Sequence, residues 1–366
     1  MVVARAGLVL AAMAVALVVA EFVVRQFPVA TIELQVLGKD RQPTTVASFA
    51  LALDPAITPR PQKTMAPGAR LYLRYQGLHR PWLEEDGAVA VRINQAGIRD
   101  REEIGFHKPP GQRRIVCLGD SVTFGFGIPV EDCWVRKIET GLRQRFGDVR
   151  TVNCGFMGTL LVDEYWYGLK HRFHRFHPDM VVVTLCLNDL LISTSGVAHF
   201  RPDPAPSSSE LLNRLRTWLG KQPHQLDPDV DYVEQLLNLP ADHPLYKQHG
   251  LTRAMLWASG TPQGALREMK AWCAERDLPM VVILWPFLQG LEAGEHYPFQ
   301  KMHDMVAAFC ASEAIGFLDL LPALKGQCST DLWVSPNDQH PNPKAQELVC
   351  GPITSFVSKH CGFERR

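Results

Sequence analysis

Charge of one sign is what this sequence lacks most plainly, since 38 Lys and Arg residues are balanced by 38 Asp and Glu. That balance excludes a global pull toward polyanions, and nothing in the chain reads as a DNA- or RNA-binding module. Metal-ligand spacing is missing too. The nine cysteines include no C-x-x-C pair. His171, His174 and His177 fall at three-residue steps, not at the i, i+4 step by which a helix offers two histidines to one ion. No metal and no cofactor are expected. There is no internal repeat, and Trp134, Trp166 and Tyr167 fit a core or groove wall better than a cofactor box. Cysteine usage is neutral about compartment. Cys117, Cys154 and Cys186 lie in apolar strand-like runs as buried thiols would, whereas Cys310, Cys328, Cys350 and Cys361 are available for pairing in an oxidising environment.

What the chain does have begins at its N-terminus. Arg5 precedes an uncharged, mostly apolar run, Ala6 to Ala20, before Glu21 interrupts and Phe22-Val23-Val24 follow. Val18 and Ala20 give the small-residue spacing of a cleavable signal. Counting through Val24, the same segment approaches the length of a bilayer span. The expectation favoured is a signal anchor or transmembrane helix over residues 1–27, with the rest exported.

Residues 28–110 read as an extended, β-rich arm. Short β-like pieces (Thr31–Leu37, Arg70–Tyr75, Ala88–Ile93) are separated by proline-rich loops. Residues 111–366 read as the main domain. Apolar runs at Arg114–Leu118, Val149–Cys154, Met180–Leu187, Met280–Trp285 and Gly316–Leu320 alternate with helical patterns at Cys133–Phe146, Leu160–Phe176, Pro262–Arg276, Phe299–Ala314 and Pro343–Lys359. Several of these strands are continuously apolar, so they are buried on both faces. The fold class is therefore α/β: a five-stranded parallel sheet in a three-layer α/β/α sandwich. A long insertion, about residues 191–260, interrupts it, and a helical lid, a partner surface and a decorative insertion are all open readings.

In such a sheet chemistry collects at the carboxyl ends of the strands. There the first strand delivers Asp120-Ser121, the second Asn153-Cys154-Gly155-Phe156-Met157-Gly158, and the third Asn188-Asp189. After the fifth comes Ser335-Pro336-Asn337-Asp338-Gln339-His340. A serine, free backbone amides, an asparagine amide and an acid beside a histidine are the set that acyl transfer requires. Each piece alone is ordinary, for a serine before a helix is usually a cap. The order and placement together carry the signal.

With those residues in place the chain resembles the SGNH (GDSL-type) hydrolase superfamily. LGDSVTFG matches the first block, the glycine of NCGFMG the second, the asparagine of LND the third and the histidine of DQHPN the fifth. RINQAGIRDRE followed by KPPGQRRIVCLGDS is similar to membrane-anchored bacterial members with an N-terminal arm, and the resemblance covers roughly residues 90–360. It implies a flavodoxin-like SGNH fold, Ser121 as nucleophile and His340 as general base. The Ser121 amide, the Gly158 amide and the Asn188 side chain would form the oxyanion hole.

Two departures stand out. Cys186-Leu187 occupy positions where the family carries glycine, which would narrow the site or alter the turn. The position three before the histidine, usually acidic, is Asn337. Asp338, two before it, is assigned as the acid, and the alternative is a Ser–His dyad with Asn337 facing the ring. The expected activity is hydrolysis of an acyl ester, on a carbohydrate or a lipid, with O-acetyl the favoured acyl group. An O-acyltransferase and a non-catalytic accessory protein are the alternatives.

Overall fold

The computed structural model describes residues 2–26, 32–52, 63–158, 160–191, 209, 211–212, 230–248 and 251–364. The apolar N-terminal segment forms one helix, α1 (Val2–Gln26). It belongs to a small compact unit made of Met1–Thr31 and Val197–Gln225. Within that unit Glu21 Oε2 accepts from Ser209 Oγ at 2.8 Å and from Leu211 N at 2.9 Å. Met13, Val15, Leu17, Val18 and Phe22 are each more than half exposed. Among the described residues, however, no helix is long and apolar enough to cross a membrane. The transmembrane helix expected over residues 1–27 is thus not found among the described residues. Glu21 interrupts the apolar run and pairs with Arg25 one turn on at 2.7 Å. Of the insertion's RPDPAPSSSE and LLNRLRTWLG stretches, only Ser209, Leu211 and Leu212 fall within the described residues.

Ile32–Gly196 and Leu226–Arg366 form the second compact unit. It opens with β1 (Leu34–Gly38), β2 (Pro43–Thr44), β3 (Ala50–Ala52), β4 (Lys63–Met65), β5 (Arg70–Tyr75) and β6 (Ala88–Arg92). Four of these make an antiparallel sheet in the order β2-β1-β5-β6, and β3 pairs with β4. Alternation along β5 is that of a strand with one buried face: Leu71, Leu73 and Tyr75 are buried, while Arg70, Tyr72 and Arg74 are not.

The principal sheet contains β7 (Arg113–Gly119), β8 (Val149–Gly155), β9 (Met180–Cys186), β10 (Met280–Trp285) and β11 (Gly316–Asp319). These are the five strands expected from the apolar runs, with ends displaced by no more than one residue. Their order is β11-β10-β9-β7-β8, and every pairing is parallel. All seven residues of β9 are buried, as the two-sided burial of a central parallel strand demands.

The helices follow in chain order: α2 (Ser121–Phe124), α3 (Trp134–Phe146), α4 (Val162–His171), α5 (Tyr232–Leu237), α6 (Pro244–Gln248), α7 (Thr261–Ala274), α8 (Gln300–Ser312), α9 (Leu321–Leu324) and α10 (Pro343–His360). α3 packs with α10, and α4 with α7. Right-handed crossovers from β7 run to β8 on one side and back past β7 to β9 on the other, which puts these two helix pairs on opposite faces. Of the insertion, residues 230–248 are embedded in this body: Tyr232, Val233, Leu236, Leu245 and Tyr246 are buried.

A final hairpin, β12 (Trp333–Ser335) and β13 (Asp338–Pro341), precedes α10. The sequence had no alternating pattern long enough to announce it. All nine cysteines are free thiols, so the pairing open to Cys310, Cys328, Cys350 and Cys361 is not made.

The chain reverses its direction of travel across the sheet at β7, between β8 and β9, so Ser121 stands at the topological switch point where open α/β sheets bind their ligands. The close approach of β8 to α2 fixes that turn. A Cβ on Gly155 would lie 2.3 Å from Phe124 N, 2.7 Å from Thr123 C and 2.9 Å from Asp120 O, all of them backbone atoms. Gly155→Ala is therefore expected to cost about 1–3 kcal/mol, the scale of overpacking in a close-packed interior, in a urea melt of the purified protein.

Candidate active site

The site grows from the end of β7. Asp120, not Ser121, caps α2: its Oδ1 accepts from Val122 N at 2.9 Å. The capping duty is thus met by the preceding residue, and the Ser121 hydroxyl is left for other work. Ser121 Oγ stands 2.8 Å from His340 Nε2. The imidazole is presented by β13, and its Nδ1 is 2.5 Å from Asp338 Oδ1. Because Asp338 and His340 are alternate residues of one strand, their side chains share a face; a D-x-H spacing works here for that reason. Asn337 points elsewhere, donating from Nδ2 to Ile32 O at 3.2 Å. Phe126, five residues after the serine, packs on the imidazole with ring centroids 4.6 Å apart.

Burial disfavours a charged His340, yet the charge and hydrogen bond of Asp338 outweigh it and hold the ring above the ordinary histidine value. Asp338 is likewise pushed up by burial, but His340 and the Tyr75 hydroxyl more than offset this and keep it below the ordinary carboxylate range. Tyr75 OH donates to Asp338 Oδ2 at 2.6 Å.

The third strand contributes Asn188, whose Nδ2 donates to Asp120 Oδ2 at 3.1 Å. A second hydrogen on the same nitrogen remains for another acceptor. Leu187 does not narrow the site: it is fully buried, and the lining holds Cys186 and Asn188 on either side of it. Asp189 accepts from Cys186 N at 2.8 Å and from Tyr165 OH at 2.7 Å. Burial, with Asp120 nearby, raises its carboxyl well above the usual range. Burial raises Asp120 as well, against the pull of Val122 N–H and the Asn188 amide.

A cavity of about 310 Å³ opens over Ser121 and His340. Val122, Pro286, Phe287 and Leu288 supply apolar wall, and Asn337, Gln289 and Gln339 supply amides. Gly158 is half-buried beside Phe156 and is not among the residues lining this cavity. The structure thus brings together Ser121, His340, Asp338 and Asn188 and leaves Gly158 outside the immediate wall.

Three contributions were missed at the sequence level. Pro286 to Gln289 follow β10, whose carboxyl end was the one edge position passed over, and the strand-end rule would have found them. Tyr75 gives no local signal. Arg99, 1% exposed, is a buried cation whose partners are carbonyls of the loop after Ser121. Its Nη1 donates to Phe124 O at 2.8 Å and also to Gly125 O, and its Nη2 to Ile128 O at 2.5 Å. Burial drops this guanidinium to about 10.

His340 can take a proton from Ser121 only when its ring is neutral. Because its pKa is raised, serine reactivity should fall off as pH drops through a value above the ordinary histidine pKa of about 6.5. The rate of Ser121 modification by a fluorophosphonate, followed from pH 5 to 9, is expected to show that midpoint. The same shift acts oppositely on stability. Its contribution is complete below the unfolded-state pKa and is lost as pH rises through the folded one.

The GDSL-like Lipase/Acylhydrolase family matches residues 117–348. None of the curated proteins matches the sequence. Among solved structures, a putative lipolytic protein of the G-D-S-L family from Desulfitobacterium hafniense DCB-2 is 12% identical, covering 67% of this chain and 99% of its own, with a TM-score of 0.39. A catalytic mutant of an acetylxylan esterase from Geobacillus stearothermophilus is 14% identical, covering 70% of this chain and 98% of its own, with a TM-score of 0.41. A two-domain esterase active on acetylated mannans is 15% identical over 68% of this chain and 50% of its own, with a TM-score of 0.38. With its family match spanning well over half the sequence, the chain belongs to the GDSL-like lipase/acylhydrolases, hydrolases of ester bonds.

Proposed function

We propose that the protein is a serine esterase that removes a short acyl group, O-acetyl above all, from a carbohydrate through an acyl-enzyme. The observation that carries the reading is the unbroken chain of contacts from Ser121 Oγ through His340 to Asp338, at 2.8 and 2.5 Å. Ser121 Oγ attacks the acyl carbon while His340 Nε2 takes its proton. Asp338 fixes the ring with Nε2 toward the serine and stabilises the imidazolium that forms. The proton passes to the departing alcohol oxygen. A water, deprotonated by the same nitrogen, then releases the acid and restores Ser121. The Ser121 amide and the second Asn188 Nδ2 hydrogen are the donors assigned to the oxyanion, with the Gly158 amide a third by family resemblance.

The cavity supports a small substrate group. Its 310 Å³ lies near the low end of ligand-binding pockets, about 300–1,000 Å³, which favours an acetyl over a long acyl chain. Asn337, Gln289 and Gln339 give its rim a polar, amide-rich character, with Gln289 donating to Gln339 and Asn337 to Ile32 O, and a polar rim suits a carbohydrate better than a lipid chain. In a comparison of acetylated xylan, p-nitrophenyl acetate and phospholipid, acetate release from the first two is expected, with none of the fatty acid that a lipid would yield. Ser121→Ala should lower kcat/KM by at least about a thousand-fold with its melting curve unchanged. Equal turnover by the alanine variant would refute the nucleophile assignment.

We further propose that the chain is exported and that α1 holds it at a membrane surface. The exposed Met13, Val15, Leu17, Val18 and Phe22 support this, since burying such side chains in lipid is favourable. The full chain is expected in the membrane fraction of cells, and a form lacking residues 1–27 in the soluble fraction. Co-fractionation of the shortened form with membranes would count against α1 as the attachment.

A further inference from the structure

The Asp338 carboxylate has two oxygens, and the proposed mechanism uses one. Oδ1 faces His340 Nδ1 and also accepts from His340 N at 3.1 Å. The other, Oδ2, is met by the hydroxyl of Tyr75 at 2.6 Å. Tyr75 ends β5, in the antiparallel sheet that precedes the family-matched segment. It is fully buried, and burial together with Asp338 raises its phenol well above the usual value, so the hydroxyl keeps its proton and donates. Space for it is reserved on the nucleophile's own loop. At Gly127 (φ 76°) a Cβ would lie 2.4 Å from the Tyr75 oxygen and 2.8 Å from Val334. Three parts of the chain therefore close on one point: β5, the loop after Ser121, and the hairpin that bears Asp338 and His340.

We propose that Tyr75 is a positioning residue for the hydrolytic reaction, acting on His340 through Asp338, and that the N-terminal sheet is thereby a component of the active site. The inference rests on the Ser121–His340–Asp338 reading. A buried carboxylate oxygen without a donor is costly, so the phenol fixes the plane in which Asp338 meets the imidazole. It also takes up part of the carboxylate's charge and so moderates the hold of Asp338 on a protonated His340. The hydroxyl does not line the substrate cavity, and its removal should leave substrate binding alone.

The test is Tyr75→Phe, which deletes the hydroxyl and keeps the ring. Tyr72→Phe, on the opposite face of the same strand, serves as the control for general damage to that sheet. With p-nitrophenyl acetate, Tyr75→Phe is expected to lower kcat roughly ten-fold, the worth of one hydrogen bond to a charged group, with KM held. The acidic limb of its kcat/KM profile should move to higher pH, because the less compensated carboxylate retains the imidazolium proton longer. In an Asp338→Asn background the same substitution should add little, the non-additivity of residues acting in one chain. An unmoved acidic limb, or an effect that adds in full on top of Asp338→Asn, overturns the inference. Ser121-dependent labelling of the wild type by a fluorophosphonate separates the two levels. If labelling is present and the limb is unmoved, Tyr75 alone is misassigned; if labelling is absent, the triad falls and this inference with it.

Discussion

Everything around the site is organised by one buried carboxylate. Asp338 lies in a place where ionisation is penalised, and it remains ionised because His340 and Tyr75 compensate it from two directions. Leaving a charge buried without partners costs several kcal/mol, so the elements that bring those partners are bound to each other. Tyr75 ties β5 to the hairpin through Asp338, and its hydroxyl fills the place where a side chain at Gly127 would lie. Geometry at Ser121 is thus set by the packing of segments far from it in the chain.

A second tier of contacts holds the loop at Ser121 as Tyr75 holds Asp338. Arg99 holds the carbonyls of Phe124, Gly125 and Ile128, and Asp120 ties Asn188 to the start of α2. The cation and the carboxyl flank the turn from opposite ends. Here buried polar groups fix one loop conformation, and the hydrophobic sheet beneath supplies the rigidity that makes such fixing worthwhile.

The sheet was legible in the sequence because two-sided burial writes itself as uninterrupted apolar runs, and β7 to β11 emerge from them to within one residue. Ser121, Asn188, Asp338 and His340 were legible because strand ends are where such a fold collects its chemistry. The β12–β13 hairpin was not, since strands this short carry too few residues for a period-2 pattern. Asn337 and Asp338 could be told apart only once that hairpin put Asp338 and His340 on one face. Arg99 and Tyr75 were beyond reach for a different reason. Each acts through a long-range contact, and an isolated arginine or tyrosine in a β-rich segment resembles any other.

The separation in sequence between Ser121 and His340, 219 residues, and between Tyr75 and Asp338, 263 residues, has a consequence for synthesis. A chain emerging N-terminus first exposes the proposed nucleophile, Ser121, long before the proposed base, His340, exists. Closing loops of that span also belongs to the slow, non-local part of folding. The newborn protein carries Ser121 without its His340 contact, and on the proposed mechanism reactivity arrives only when the segment bearing Asp338 and His340 has docked.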